Sequence, residues 1–231
     1  KPRFIALDDI LRPDGTFVKR KKVILMTSGC CVPTCTMCPF TNYNYYHNGQ
    51  RAKISVVKQV KDILSASNTE QEYQQLSLYN DGSFFAEREI PEYELLEIAN
   101  LISNSNIKIL SIESLPQFIT ADKLKKFCAV LGEKVHLEVG IGLQSANPIV
   151  RELCVNTSFS NKIFEQSLSV LRGVNATVKN YILLKPPFLT ENDAINDALD
   201  TLEYLRNLGE NYVTLCPTRV SPNTLVSELY D

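Results

Sequence analysis

The chain has 231 residues, 44% of them hydrophobic, with a net charge of −2 and a sequence pI near 5.8. That is enough to bury a sizeable core as one domain or at most two, and it excludes a polycation built to lie along a phosphate backbone. No apolar stretch approaches the length of a membrane span and no N-terminal apolar segment marks export, so a soluble, cytoplasmic protein without membrane contact is expected.

In chain order, residues 1–21 read as an N-terminal extension. They end in a short basic run, Lys19-Arg20-Lys21-Lys22, taken as solvated surface. Strands are expected at Lys22–Ser28, Gln75–Asn80, Lys108–Glu113, Val135–Leu143, Val178–Leu184 and Tyr212–Cys216. These are near-continuous apolar runs, which suit a parallel sheet covered by helices. Helical periodicity fills the intervals. Leu95, Leu96, Ile98, Ala99 and Ile102 follow Pro91, a second helix follows Thr120, and Ile195, Ala198, Leu199, Leu202 and Leu205 follow Thr190. Thr190 is a candidate N-cap. Gly132, Gly173 and Gly209 stand where a left-handed residue would close each preceding helix. The alternation predicts an α/β fold, either an open doubly wound sheet or a partial (β/α)6 TIM-type barrel over residues 22–231. A full eight-unit barrel takes about 250 residues.

In either architecture a site forms where the strands end. After the expected strands come Asn80-Asp81-Gly82-Ser83, then Glu113-Ser114, then Gly140-Ile141-Gly142 with Gln144, then Lys185-Pro186-Pro187, then Cys216-Pro217. The first strand ends in the densest feature, "CCVPTCTMCPF", with four of the seven cysteines between Cys30 and Cys38. An odd number of cysteines without an export signal argues against a disulfide framework. Cys31-x3-Cys35-x2-Cys38 places three thiols in one tight loop. A structural zinc ion would need a fourth ligand, from Cys30 or His47, and ordinarily a second C-x2-C, which the chain lacks. Three thiols also suit an iron–sulfur cubane with one iron left open.

That cysteine spacing after the first strand of a βα array resembles the signature of radical SAM enzymes, and the resemblance covers about residues 22–231. It implies that Cys31, Cys35 and Cys38 ligate a [4Fe-4S] cluster whose fourth iron binds S-adenosylmethionine. The cluster's electron would release a 5′-deoxyadenosyl radical that takes hydrogen from the substrate. Asn80, Asp81, Gly82 and Ser83 would receive the methionine amino group, and Glu113 and Ser114 the ribose or the methionyl end. Gly140, Ile141 and Gly142, a Gly-x-Ile-x-Gly-type strand, would shelve the adenine beside Met37, and Gln144 would bond the ribose or carboxylate. Lys185 becomes the candidate catalytic residue outside the cluster, and the aromatic stretch "NYNYYHNGQR" a candidate for the mouth of the cavity. Cys30, Cys128, Cys154 and Cys216 are left as bystanders or core.

The stretches "NDGSFFAEREIP", "IESLPQFIT", "GIGLQSANPIVRE" and "YILLKPPFLTE" further resemble the group that contains the Elongator catalytic subunit. Within it they resemble most the archaeosine synthase radical SAM subunit family. This implies carbon–nitrogen cleavage on a modified tRNA base, a partner subunit, and a reductant such as flavodoxin or ferredoxin. A biosynthetic radical SAM enzyme acting on a small molecule or peptide is the alternative, and a non-catalytic zinc module a more distant one.

Overall fold

The computed structural model describes residues 1–40, 46–47, 50–51, 54–65, 73–157 and 159–229. The chain opens with an antiparallel hairpin of β1 (Phe4–Leu11) and β2 (Phe17–Ile24), and a second, two-residue hairpin pairs β3 (Tyr46–His47) with β4 (Gln50–Arg51). Strands β5 (Gln75–Tyr79), β6 (Ile109–Glu113), β7 (His136–Gln144), β8 (Thr177–Leu184) and β9 (Val213–Pro217) then follow β2 in parallel. The result is one seven-stranded sheet in the order β1-β2-β5-β6-β7-β8-β9. The six expected strands are all present. What was read as an extension is an additional strand, and the expected boundary at residue 22 falls inside β2.

The sheet is curled into a half-barrel. Five strand spacings separate β2 from β9, about 24 Å on a flat sheet. Yet Arg12, at the tip of the first hairpin, lies 5.9 Å from the ring centre of Tyr212 at the start of β9. It also bonds Glu138 on β7. The hairpin therefore folds across the lower end of the trough.

Five helices cover the outer face: α1 (Val56–Ser65), α2 (Glu92–Ser103), α3 (Ala121–Leu131), α4 (Asn161–Gly173) and α5 (Glu191–Asn207). A short α6 (Leu225–Glu228) follows β9. Each of the first four helices presents an apolar stripe, for example Leu95, Ile98, Ala99 and Ile102 on α2, to the outward residues of the strands. Those include Leu76, Leu78, Leu110, Ile112, Val139, Ile141 and Ile182. Helix α5 differs from expectation. Its buried stripe is Ala194, Asp197, Ala198, Thr201 and Leu205, while Ile195 and Leu199 are exposed. Thr190 caps it as expected, accepting from the Asp193 N–H at 3.2 Å. At the end of α4 the left-handed residue is Asn175 (φ 55) rather than Gly173, whereas Gly132 and Gly209 do adopt positive φ.

The runs read as continuously apolar in fact alternate. Strand side chains switch faces every residue. Opposite the apolar set, Ser77 and Tyr79, Ser111 and Glu113, Glu138 and Gly140, Lys179 and Tyr181, Thr214 and Cys216 share the inner wall in register. Arg20 and Lys22 of the basic run also face inward and pair with Asp8 on β1, and Lys21 lies 4.5 Å from the Tyr73 ring centre. Arg20, Lys21 and Lys22 are thus built into the sheet, while Lys19 is exposed.

Candidate active site

The cysteine loop leaves β2 at the rim where the parallel strands end. Gln59 on α1 fixes its approach by accepting from the Met26 N–H at 2.9 Å and donating to the Met26 carbonyl at 2.8 Å. The residues between the thiols dock the loop on the turn after β7. Thr34 and Asn156 exchange side-chain-to-carbonyl bonds of 2.8 Å each, and Thr36 donates to the Cys154 carbonyl at 2.7 Å. The Val226 N–H of α6 reaches the Thr36 carbonyl at 3.3 Å.

On its other side the loop is held by Glu89, a residue that sequence reading passed over. Its buried carboxylate accepts from the Cys31 N–H at 2.9 Å, the Asn80 amide at 2.8 Å and the Ser83 N–H at 3.0 Å. Gly82 makes room for it: a Cβ there would sit 2.2 Å from the Glu89 carboxylate. One carboxylate thus joins the cysteine loop to the loop after β5. In sequence nothing separates Glu89 from the exposed Glu87 two positions earlier; only the fold does.

Asn80 and Asp81 part company. The Asp81 carboxylate is taken up by Arg3 in a two-pronged pair at 2.6 and 2.8 Å, so it is not open to an incoming ammonium as expected. Asn80 is buried, and its Oδ1 has no hydrogen-bond partner among the described residues. Ser83 is structural, its hydroxyl accepting the Leu115 N–H at 3.0 Å. The rim loops are stitched in sequence, with the Phe84 N–H on the Glu113 carbonyl (2.8 Å) and the Ser114 N–H on the Gly140 carbonyl (3.1 Å). Phe84, Phe85 and Phe127 pack edge to face beneath them.

The expected adenine shelf is corrected in part. Gly140 and Gly142 face the inner wall, but Ile141 is fully buried in the apolar layer on the other face and cannot shelve a ligand there. A Cβ on Gly140 would lie 2.8 Å from Tyr181 and 3.0 Å from Glu113, so the glycine lets those two side chains meet. Burial holds the Glu113 carboxyl above its usual range, against the pull of Tyr181 and Lys179. Gln144 sits at a bulge with φ 66 and lays its amide over Gly142. Ser145 and Ala146 beyond it are gripped by α5, through Asp197 (2.6 Å) and Thr201 (2.9 Å), and Arg151, wholly buried, donates to the Ser145 carbonyl at 3.2 Å.

Lys185 is displaced from the expected role. It has φ 63 and pairs with Glu191 at the exposed start of α5. The lysine on the inner wall is Lys179, and Cys216, expected in the core, is half-buried on the same face, in register with Leu183. Both were signalled by the alternation in "VKNYILL" and "YVTLC". Met37 is half-buried within the cysteine loop. Most of "NYNYYHNGQR" lies outside the described residues.

The residues present fit a cluster and a methionyl ligand. Burial, with Cys38 and Cys30 beside it, pushes the Cys35 thiol up to about 12, so thiolates in this loop call for a cation to hold them. A cubane offers a separate iron to each thiolate. The orphaned Asn80 Oδ1 is an acceptor waiting for a donor such as an ammonium.

The backbone architecture is shared with solved structures. Among solved structures, the radical S-adenosylmethionine methyltransferase TsrM from Kitasatospora setae superposes with a TM-score of 0.63 at 14% identity, covering 89% of this chain and 37% of that one. The cobalamin-dependent S-adenosylmethionine radical enzyme OxsB matches at 0.63 and 14%, covering 90% and 34%. The fold is that of radical SAM enzymes. A third solved structure, Elp3 of the archaeon Methanocaldococcus infernus, superposes at 0.56 and 15%, covering 89% and 49%. By sequence the chain is 27% identical over its whole length to an uncharacterized protein of Methanocaldococcus jannaschii. It is similar, too, to proteins named archaeosine synthase subunit beta, at 24% over 94% of the chain in Methanosarcina acetivorans and 27% over 90% in Thermococcus kodakarensis. The chain spans 63–65% of the length of these relatives. No family model matches it.

Proposed function

We propose that this chain is the catalytic half-barrel of a radical SAM enzyme that modifies a tRNA base, with carbon–nitrogen cleavage of the archaeosine type. The observation that carries the reading is the joining of Cys31 to Asn80 and Ser83 through Glu89, on a radical SAM fold, in a chain whose relatives are archaeosine synthase subunits. Cys31, Cys35 and Cys38 would hold the [4Fe-4S] cluster. Asn80, with the backbone of Gly82, would hold the methionyl end of S-adenosylmethionine, and Glu113, Gly140, Gly142 and Gln144 its ribose and adenine. When bound, this pair supplies reductive cleavage of the sulfonium carbon–sulfur bond and removal of a hydrogen atom from the substrate.

The chain's own residues do the holding. Glu89, Thr34 and Thr36 fix the loop, and α5 and Arg151 fix the turn beyond Gln144. The name "subunit beta" of the relatives supports a partner subunit, and a flavodoxin or ferredoxin is the proposed reductant. No helix among the described residues is long and apolar enough to cross a membrane.

A small-molecule or peptide substrate is the second reading. It is favoured by Arg20, Lys21 and Lys22 being absorbed into the sheet, which removes most of the chain's most basic segment from an RNA face. The two are separated by incubating the reconstituted protein with deazaguanine-modified tRNA and the partner subunit. The first reading expects retention of tRNA at low salt and release of 5′-deoxyadenosine that depends on it. No retention and no stimulation would favour the second.

A further inference from the structure

The inner wall carries cations at Arg12, Arg20, Lys22 and Lys179. Arg12 pairs with Glu138, and Arg20 and Lys22 pair with Asp8. Lys179 has no ion-pair partner among the described residues. Its ammonium lies 5.4 Å from the ring centres of both Tyr181 and Tyr212, and Glu113 and Glu138 act on it only from further away. Its neighbour in register on β7 is Gly140, which has no side chain to cover it. The lysine is half-buried, and burial is the main force pushing its ammonium below the ordinary range. Two aromatic faces recover part of the cost of such a charge, but a counter-ion is what completes it.

We propose that Lys179 receives a carboxylate of the substrate, with the rings of Tyr181 and Tyr212 as side walls. A singly charged anion suits the place: Glu138 and Glu113 act on the ammonium from a distance and would oppose a phosphate dianion more than a carboxylate, with the Arg20 cation offsetting part of that opposition. The proposal rests on the radical SAM reading only in taking the trough as the substrate's chamber, since the ammonium and the two rings are present without any cofactor.

Phenylacetate is a suitable probe, with one carboxylate and one ring to lie between two tyrosines. Its binding is followed by saturation-transfer NMR on the reconstituted protein, alongside phenylacetamide and phenyl phosphate. The expected result is binding of phenylacetate, weaker binding of phenyl phosphate and none of the amide. Lys179→Met should weaken phenylacetate about tenfold or more, and Lys185→Met should leave it unchanged. Unaltered iron content and an unaltered melting temperature in Lys179→Met would show that the variant is folded. Carboxylate binding indifferent to Lys179, or phosphate preferred over carboxylate, overturns the proposal. Loss of S-adenosylmethionine binding in Lys179→Met also overturns it, because the ammonium would then serve the cofactor. If the protein takes up no cluster, the radical SAM reading fails while the titration on the unloaded protein still decides this one.

Discussion

At the scale of single residues the site depends on a few buried carboxylates, and two of them make opposite predictions. Glu89 accepts three hydrogen bonds from donors that have no other role in view. Glu89→Gln turns an NH2 group toward donors, so it should destabilise the fold by about 1–3 kcal/mol and lower iron content and S-adenosylmethionine affinity together. Thermal melts, iron assay and equilibrium dialysis check the three effects. Glu113 is the contrary case. Its folded-state affinity for protons is raised above the usual 4.5 by burial, so the folded chain binds the extra proton more tightly than the unfolded one. Its contribution to stability therefore falls as pH rises from about that value through the raised one. Glu113→Gln should raise the melting temperature at pH 8 and leave it unchanged near pH 4, where the carboxyl is neutral in both states. A melting temperature lowered equally at both values would contradict this assignment.

At the scale of elements, β7 and the turn that follows it organise the rim. Gly140 is the gap through which Tyr181 and Glu113 meet. Gly140→Ala forces its methyl group to within 3 Å of both, which should cost about 1–3 kcal/mol in urea unfolding. It should also push the Tyr181 and Glu113 side chains apart. Arg151 is the pin of the turn, donating to the Phe159 and Ser145 carbonyls and to Asn161 from a fully buried position. Arg151→Met leaves those acceptors stranded and should cost about 3 kcal/mol or more. Sequence reading placed β7 within a residue of its true start and end, because an apolar run between turn residues marks a strand whatever lies around it. It misassigned Ile141, because which residues of a strand face inward is set by register with β6 and β8, and a one-residue difference exchanges the faces. The same limit hid Lys179 and promoted Lys185. A lysine beside two prolines looks special in sequence, while a lysine in mid-strand looks like noise until the alternation is counted.

At the scale of the whole molecule, the order of strands, the polar rim and the position of the thiols were legible, since each is a local pattern repeated along the chain. The closing hairpin was not. β1 carries Phe4, Ile5, Leu7 and Leu11 with large exposure and has no buried stripe to announce it. Its place depends on ion pairs, Asp8 with Arg20 and Arg12 with Glu138, that join residues up to 126 positions apart. Arg3 and Asp81 likewise meet only once the hairpin is formed. Removing residues 1–16 should therefore lower stability and expose the Asp81 carboxylate, a result that protease sensitivity and a melt would report.

The central claim is that Cys31, Cys35 and Cys38 hold a cluster that cleaves S-adenosylmethionine. Anaerobic reconstitution followed by dithionite and S-adenosylmethionine tests it most directly. The account predicts about four irons per chain and formation of 5′-deoxyadenosine, both lost when any of the three cysteines is changed to alanine and retained in Cys30→Ala. A colourless protein holding one zinc ion, or a cluster that needs Cys30, would contradict it.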